Sequence, residues 1–165
     1  MSKNIIINND TILYREWIPI AKFVKIIISL LFLFIIVITI IISTLSLQVM
    51  IFLLIILGGG CIFISFIYLN FRGLQIILTN NQIEVKYGIF NHKTIPLKKI
   101  MRCETTKATF KKYGGVGVRY GLDGSWAYNT DFGEAVKLTY QNGKPFVFST
   151  KNPQKICNLI NELSK

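Results

Sequence analysis

Between positions 26 and 71 the sequence contains no Asp, Glu, Lys or Arg. With no acid, base or histidine in this stretch, a proton path, an ion path or a buried catalytic site there is unsupported. Histidine occurs once, at His92, with no second ligand or nucleophile beside it in sequence. Cysteine occurs three times, at Cys61, Cys103 and Cys157, far apart and without a CxxC spacing. That pattern supports neither a metal site nor a disulfide framework, and it fits a reducing compartment for the soluble part. Acidic side chains number 8 against 19 basic ones. Glu84, Glu104, Asp123, Asp131, Glu134 and Glu162 are scattered, and no two are paired for acid–base work. With no Ser–His–Asp arrangement either, the expectation is a protein that is not an enzyme and carries no cofactor.

What fills the uncharged stretch is two apolar runs, 26–42 and 49–69, separated by Ser43, Thr44, Ser46 and Gln48. A helix rises 1.5 Å per residue, so about 20 apolar residues cross a hydrocarbon core of roughly 30 Å. The second run is long enough, and the first is once its flank is counted, so a transmembrane α-helical hairpin is expected over 21–71, with helices at about 23–45 and 49–69. Trp17, Lys22 and Lys25 at its entry, and Tyr68 and Arg72 at its exit, are the aromatic and snorkelling residues expected at head-group level. Lys and Arg lie at both outer flanks, and the connection has none. The positive-inside bias then places both termini in the cytoplasm of a cell with this protein in its inner membrane. Residues 1–20 read as a polar N-terminal cytoplasmic segment without the pattern of a signal peptide, carrying at most a short strand that adds to the edge of the later sheet.

Gly58, Gly59 and Gly60 lie near the middle of the second helix. Small residues let helices approach in lipid, so the triplet serves either packing against the first helix or self-association into a homo-oligomer.

After Gly73 the period changes to two. Residues 74–79 and 82–87 are β-rich runs split by Asn80-Asn81, and Ile83, Val85 and Tyr87 alternate with Gln82, Glu84 and Lys86. Further strand patterns follow at about 102–109, 116–120, 125–129, 135–140 and 146–149, with turn formers between them. A last amphipathic helix has Asn152 as N-cap, Pro153 at its first position, and Ile156, Leu159, Ile160 and Leu163 on one face. About seven antiparallel strands and one helix predict a mainly-β domain over 73–165, a small barrel capped at one end.

The order of Leu78-Thr79-Asn80-Asn81-Gln82-Ile83, Tyr87-Gly88-Ile89-Phe90 and Ile95-Pro96-Leu97-Lys98-Lys99-Ile100 resembles the opening of bacterial pleckstrin-homology-like domains. In those families a pair of membrane helices commonly precedes the domain. Tyr113-Gly114-Gly115-Val116-Gly117-Val118-Arg119-Tyr120 with Trp126-Ala127-Tyr128-Asn129 is similar to an uncharacterised subgroup with a two-helix anchor. The resemblance implies a PH-like barrel with a C-terminal helix and brings no catalytic residues.

From residue 72 onward there are 15 Lys and Arg against 6 Asp and Glu, a balance of +9. Two readings stand: attraction to anionic head groups, worth about 1 kcal/mol per residue at the surface, or the drift of an AT-rich genome. The glycines of 114–121 match neither a dinucleotide fingerprint nor a P-loop, because Tyr120 stands where the third glycine belongs. They read as a bend or a close strand approach. Lys107, Lys111, Lys112, Arg119 and Trp126 are the candidate ligand-binding residues, either holding an anionic head group or acidic peptide, or forming a solvated basic loop over a buried Trp126. The expected function is a membrane-anchored binding or scaffold protein engaging anionic lipid or a membrane protein partner. The alternative is an assembly or regulatory subunit acting through its helices. No nucleic-acid reading element is present.

Overall fold

The computed structural model describes residues 6–7, 10–44 and 47–163. The chain forms two units: residues 21–70, and a second unit made of 1–20 together with 71–165.

The first unit is two helices, α1 (Lys22–Ile42) and α2 (Leu47–Phe71). Both are long and apolar enough to cross a membrane, with mean hydropathies of 3.1 and 2.7 over their most apolar windows. Only 6% and 0% of those windows is buried, so neither is the core helix of a soluble fold. Thr39 donates to the Ile35 carbonyl at 2.8 Å and Ser43 to that of Ile40, the local bonding that lets hydroxyls sit in an apolar helix. A Cβ added at Gly58, Gly59 or Gly60 would meet nothing within 4 Å.

The second unit begins before the helices. Strands β1 (Ile6–Ile7) and β2 (Asp10–Pro19) join β3 (Gly73–Thr79), β4 (Gln82–Tyr87) and β5 (Asn91–Pro96) in one antiparallel sheet, ordered β1-β2-β3-β4-β5. The expected short edge strand is thus a ten-residue strand inside the sheet. It pairs with β3 from Ile12↔Thr79 to Pro19↔Gly73, and the Ile20 amide donates to the Arg72 carbonyl at 3.0 Å. The helices are therefore an insertion at one end of a β-ladder. Trp17 belongs to β2, its ring beneath the Arg72 guanidinium at 5.9 Å, rather than to the start of α1. Gly73 is required there, since a Cβ would stand 2.5 Å from the Trp17 ring and 2.8 Å from the Ile18 carbonyl.

After a 3₁₀ turn (Leu97–Lys99) come β6 (Ile100–Ala108), a single helical turn α3 (Phe110–Tyr113), β7 (Gly117–Tyr120), β8 (Trp126–Asn129), β9 (Gly133–Tyr140), β10 (Phe146–Ser149) and helix α4 (Pro153–Leu163). The second sheet is ordered β6-β9-β10-β8-β7. From residue 73 onward there are eight strands against the about seven expected, β5 being the addition, and β8 runs parallel to β10, against the all-antiparallel expectation. No ladder joins the two sheets among the described residues, so no closed barrel is found there, and the sheets meet through one shared core.

Period-two alternation puts Ile18, Leu74, Ile76, Leu78, Ile83, Val85 and Tyr87 from one sheet against Val136, Leu138, Phe146 and Phe148 from the other. Helix α4 adds Ile156, Cys157 and Ile160. Ala108, Tyr113, Ala127, Ala135 and Val147 form a smaller core on the far side of the second sheet. Asn152 precedes α4, its carbonyl accepts from the Ile156 amide at 3.2 Å, and its side-chain Nδ2 donates to the Tyr14 hydroxyl at 3.2 Å. Glu16 of β2 takes hydrogen bonds from Thr150 at 2.6 Å and from the Lys151 amide at 3.1 Å. The N-terminal strand thereby fastens the β10–α4 connection.

Cys103 on β6 and Cys157 on α4 form a disulfide with a Cα–Cα distance of 5.3 Å. This corrects the expectation of unpaired thiols. A separation of 54 residues carries no sequence signal, and only the packing of α4 across β6 brings the two together.

A candidate ligand-binding groove

The basic residues singled out by sequence do not act as one cluster. Lys112, in α3, places its Nζ 2.9 Å from Asp123 Oδ2, and Lys137 approaches the same oxygen at 3.4 Å. Asp123 Oδ1 accepts from the Ser125 hydroxyl at 2.5 Å and from the Ser125 amide at 3.2 Å. Desolvation pushes the Asp123 carboxyl up. The Ser125 hydroxyl, the Lys112 ammonium and the Ser125 amide outweigh it and hold the group far below the ordinary carboxylate range. Desolvation likewise opposes the charge on Lys112, but Asp123 and the Tyr113 ring raise its pKa overall. These bonds fold residues 121–125 back onto α3, together with the Tyr113 hydroxyl to Ser125 Oγ at 3.1 Å and the Leu122 amide to the Lys112 carbonyl. Lys112 is a structural tie.

Arg119 donates from Nε to the Val116 carbonyl at 2.9 Å, so it braces its own glycine-rich bend. Gly114 closes α3 with φ of 68°, and Gly115 and Gly117 also have positive φ. The glycines make a bend, as their spacing implies. Arg119 pairs with Ala127, on the face of the sheet opposite Trp126. Lys107 is exposed on the rung opposite Glu134, and Lys111 is exposed on α3.

Trp126 is the member of the set that opens onto a cavity. It is 43% exposed rather than a core residue, and its ring meets that of Tyr120 edge-on at 5.4 Å. Together with Asn91, Lys93, Val118, Tyr128 and Phe146 it lines a cavity of about 390 Å³. Strand pairing explains the floor: Val118 faces Tyr128 and Tyr120 faces Trp126 across β7–β8, so all four side chains share one face of the sheet. Tyr128 continues into Phe146 at 4.9 Å and Phe146 into Phe148 at 5.9 Å, which carries the aromatic row from the core to the opening.

Lys93 supplies the charge. Its Nζ lies 4.3 Å from the centre of the Phe146 ring and 5.6 Å from that of Tyr140. Burial against these rings lowers its pKa from the ordinary lysine value. Beyond Lys93 a second cavity, of about 380 Å³, is lined by Thr94, Ile95, Pro96, Lys99, Tyr140, Gln141 and Asn142. The Tyr140 hydroxyl is buried and has no hydrogen-bond partner. Sequence reasoning passed over Lys93, although the signal was present. In His92-Lys93-Thr94-Ile95 the core residue Ile95 fixes which face is inward, and alternation puts Lys93 on that face too.

Among the described residues no group of three or more His, Cys, Asp or Glu side chains is placed to hold a metal ion. His92 lies on β5, beside Glu84 at 3.8 Å and Thr94 at 3.1 Å. A lysine over aromatic rings in an open groove can take an anionic group through charge and an apolar group through the rings. No protein-family model matches the chain, and neither a curated protein nor a solved structure does.

Proposed function

We propose that this is a membrane-anchored, non-enzymatic binding or scaffold protein whose β domain engages anionic lipid head groups or an acidic segment of a membrane protein. In this reading the protein is a multi-pass inner-membrane protein of the bacterial pleckstrin-homology-like type, with both termini cytoplasmic. That placement rests on the basic flanks alone, because the Cys103–Cys157 bridge removes the support of free thiols for a reducing compartment. The observation that carries it is the insertion of two lipid-length helices between paired strands of a domain with a balance of +9. Such a connection holds the basic domain within reach of a bilayer surface, where each Lys or Arg is attracted by about 1 kcal/mol. Lys22, Lys25 and Arg72 set the orientation in this reading.

The test uses the domain with residues 21–70 replaced by a short turn, sedimented with phosphatidylglycerol or phosphatidylcholine vesicles. Binding to the anionic vesicles is expected, weakening sharply between low and high salt as the Debye length falls from about 30 Å at 0.01 M to 3 Å at 1 M. Equal binding to both vesicles removes the lipid version. A fluorescent protein fused to the C-terminus should be bright, as it is when cytoplasmic, and a dark fusion beside an active periplasmic reporter reverses the orientation.

A second reading, a subunit that assembles through its helices, has one specific observation behind it: the open face at Gly58, Gly59 and Gly60. Replacing the three by leucine should alter in-membrane crosslinking, and an unchanged pattern removes this reading.

A further inference from the structure

The two cavities flank Lys93 along one strand. β5 is the last strand of the first sheet and β7 the last of the second, so among the described residues neither has a partner on its outer side. Asn91 and Lys93 line one cavity, and Thr94, Ile95 and Pro96 line the other. Between them they line the edge strand at every residue of Asn91–Pro96 but His92, facing side chains of β7, β8 and β10 at one cavity and the end of β9 at the other, and the two make up one seam. Six residues of strand span about 20 Å, the length of an extended hexapeptide.

The seam has one sign of charge. Lys93 and Lys99 line it, and Lys144 lies over the Tyr120 ring at 4.7 Å. No carboxylate is among the lining residues, and Glu84, the acid nearest in register, is engaged by Lys86 at 3.1 Å and His92 at 3.8 Å. Among the described residues, neither the half-buried Lys93 ammonium, which lies against ring faces, nor the buried Tyr140 hydroxyl has a counter-group.

We propose that this seam holds an extended acidic peptide segment of a protein partner, with one carboxylate on Lys93 and its main chain along the free edge of β5. The proposal rests on the binding reading above and names the partner chemistry for it. Two cavities spaced along one strand favour a chain over a single compact head group, and the free edge offers main-chain hydrogen bonds that a lipid cannot return. Side chains of an extended peptide fall on one face at every second residue. The acidic residue therefore sits two positions from an apolar or aromatic residue over Val118, Tyr128, Phe146 and Trp126, and two from a polar one near Gln141 and Asn142.

The experiment uses the full chain in lipid nanodiscs. Random heptapeptides displayed on phage are panned against it, and enriched peptides are synthesised and titrated against wild type, Lys93→Ala, Lys93→Glu, Val118→Trp and Lys111→Ala. Enrichment of Asp or Glu two positions from an apolar residue is expected. Lys93→Ala should weaken binding about tenfold, and Lys93→Glu by roughly a hundredfold, since a charge-assisted contact is replaced by repulsion. Val118→Trp, which fills the aromatic cavity, should abolish binding, and Lys111→Ala should leave it unchanged. Variants are compared only where thermal unfolding matches wild type, with Lys93→Gln standing in for any that unfolds. Absence of a common sequence, or equal affinity for wild type and Lys93→Glu, overturns the proposal. If phosphatidylglycerol vesicles bind the hairpin-replaced domain independently of Lys93 while peptides do not bind, the general binding reading survives and the peptide seam does not. If vesicle binding requires Lys93, the seam is a head-group site and the peptide assignment is overturned.

Discussion

Cutting this protein at the membrane boundary should destroy the domain it is meant to release. A fragment 73–165 lacks β2, whereas a chain in which a short Asn-Gly turn replaces residues 21–70 retains it. β2 contributes seven paired positions to the ladder with β3. Ladder hydrogen bonds are worth about 1 kcal/mol each net, so their loss alone costs on the order of 5–7 kcal/mol. Ile18, 6% exposed, adds about 2 kcal/mol of apolar burial. Glu16 adds its bonds to Thr150 and the Lys151 amide, which steady the start of α4. The total, near 8–10 kcal/mol, falls within the whole stability of about 5–15 kcal/mol expected of such a domain. Circular dichroism and two-dimensional amide NMR are the assay. The turn-linked chain should melt cooperatively with dispersed amides, and 73–165 should show neither. A fragment 73–165 that melts within a few degrees of the turn-linked chain would refute the reasoning, because β2 would then be an accessory and not a member of the sheet.

Reduction of the Cys103–Cys157 bridge should lower stability by about 4 kcal/mol on loop-closure entropy for a 54-residue separation, read as a fall in Tm with dithiothreitol that Cys103→Ser/Cys157→Ser reproduces. An unchanged Tm would show that the bridge does not form in the protein. Asp123 has a carboxyl pKa depressed by its partners, so its contribution is complete above the unfolded value near 3.9 and is lost as pH falls below it. Acid unfolding should therefore begin below about pH 4 and be blunted in Asp123→Asn, which is already less stable at neutral pH by about 1–3 kcal/mol; parallel acid titrations of the two proteins would contradict this. Gly121→Ala should cost about 1–3 kcal/mol, because its Cβ would lie 2.6 Å from the Tyr113 ring and 2.7 Å from Asp123 Oδ1, and chemical denaturation measures it.

Some of this architecture was legible because its cause is local. Alternation in 82–87 places Ile83, Val85 and Tyr87 inward by backbone geometry alone, and they are fully buried in the structure. The same rule applied to 91–96 would have placed Lys93 inward with Ile95, yet a single lysine in a short strand draws no notice until Phe146 is seen beneath it. Lys111, Lys112 and Arg119 looked like a site because they are close in sequence. Their roles were decided by Asp123, Val116 and the register of β7 on β8, none of which composition encodes. Trp126 was placed on the correct strand, but whether it lay in the core depended on where the first sheet ends.

By itself the sequence determined two lipid-length helices, the run of strands after residue 73 and the amphipathic last helix. Each follows from the properties of consecutive residues: uninterrupted apolarity, a period of two, a period of 3.6. Tertiary structure alone decided that β2 belongs to the domain across an insertion of 50 residues, that Cys103 meets Cys157, and that β5 ends its sheet among the described residues. These are contacts between distant parts of the chain. Their free energy is gained only when whole sheets stack, so no single stretch carries their mark.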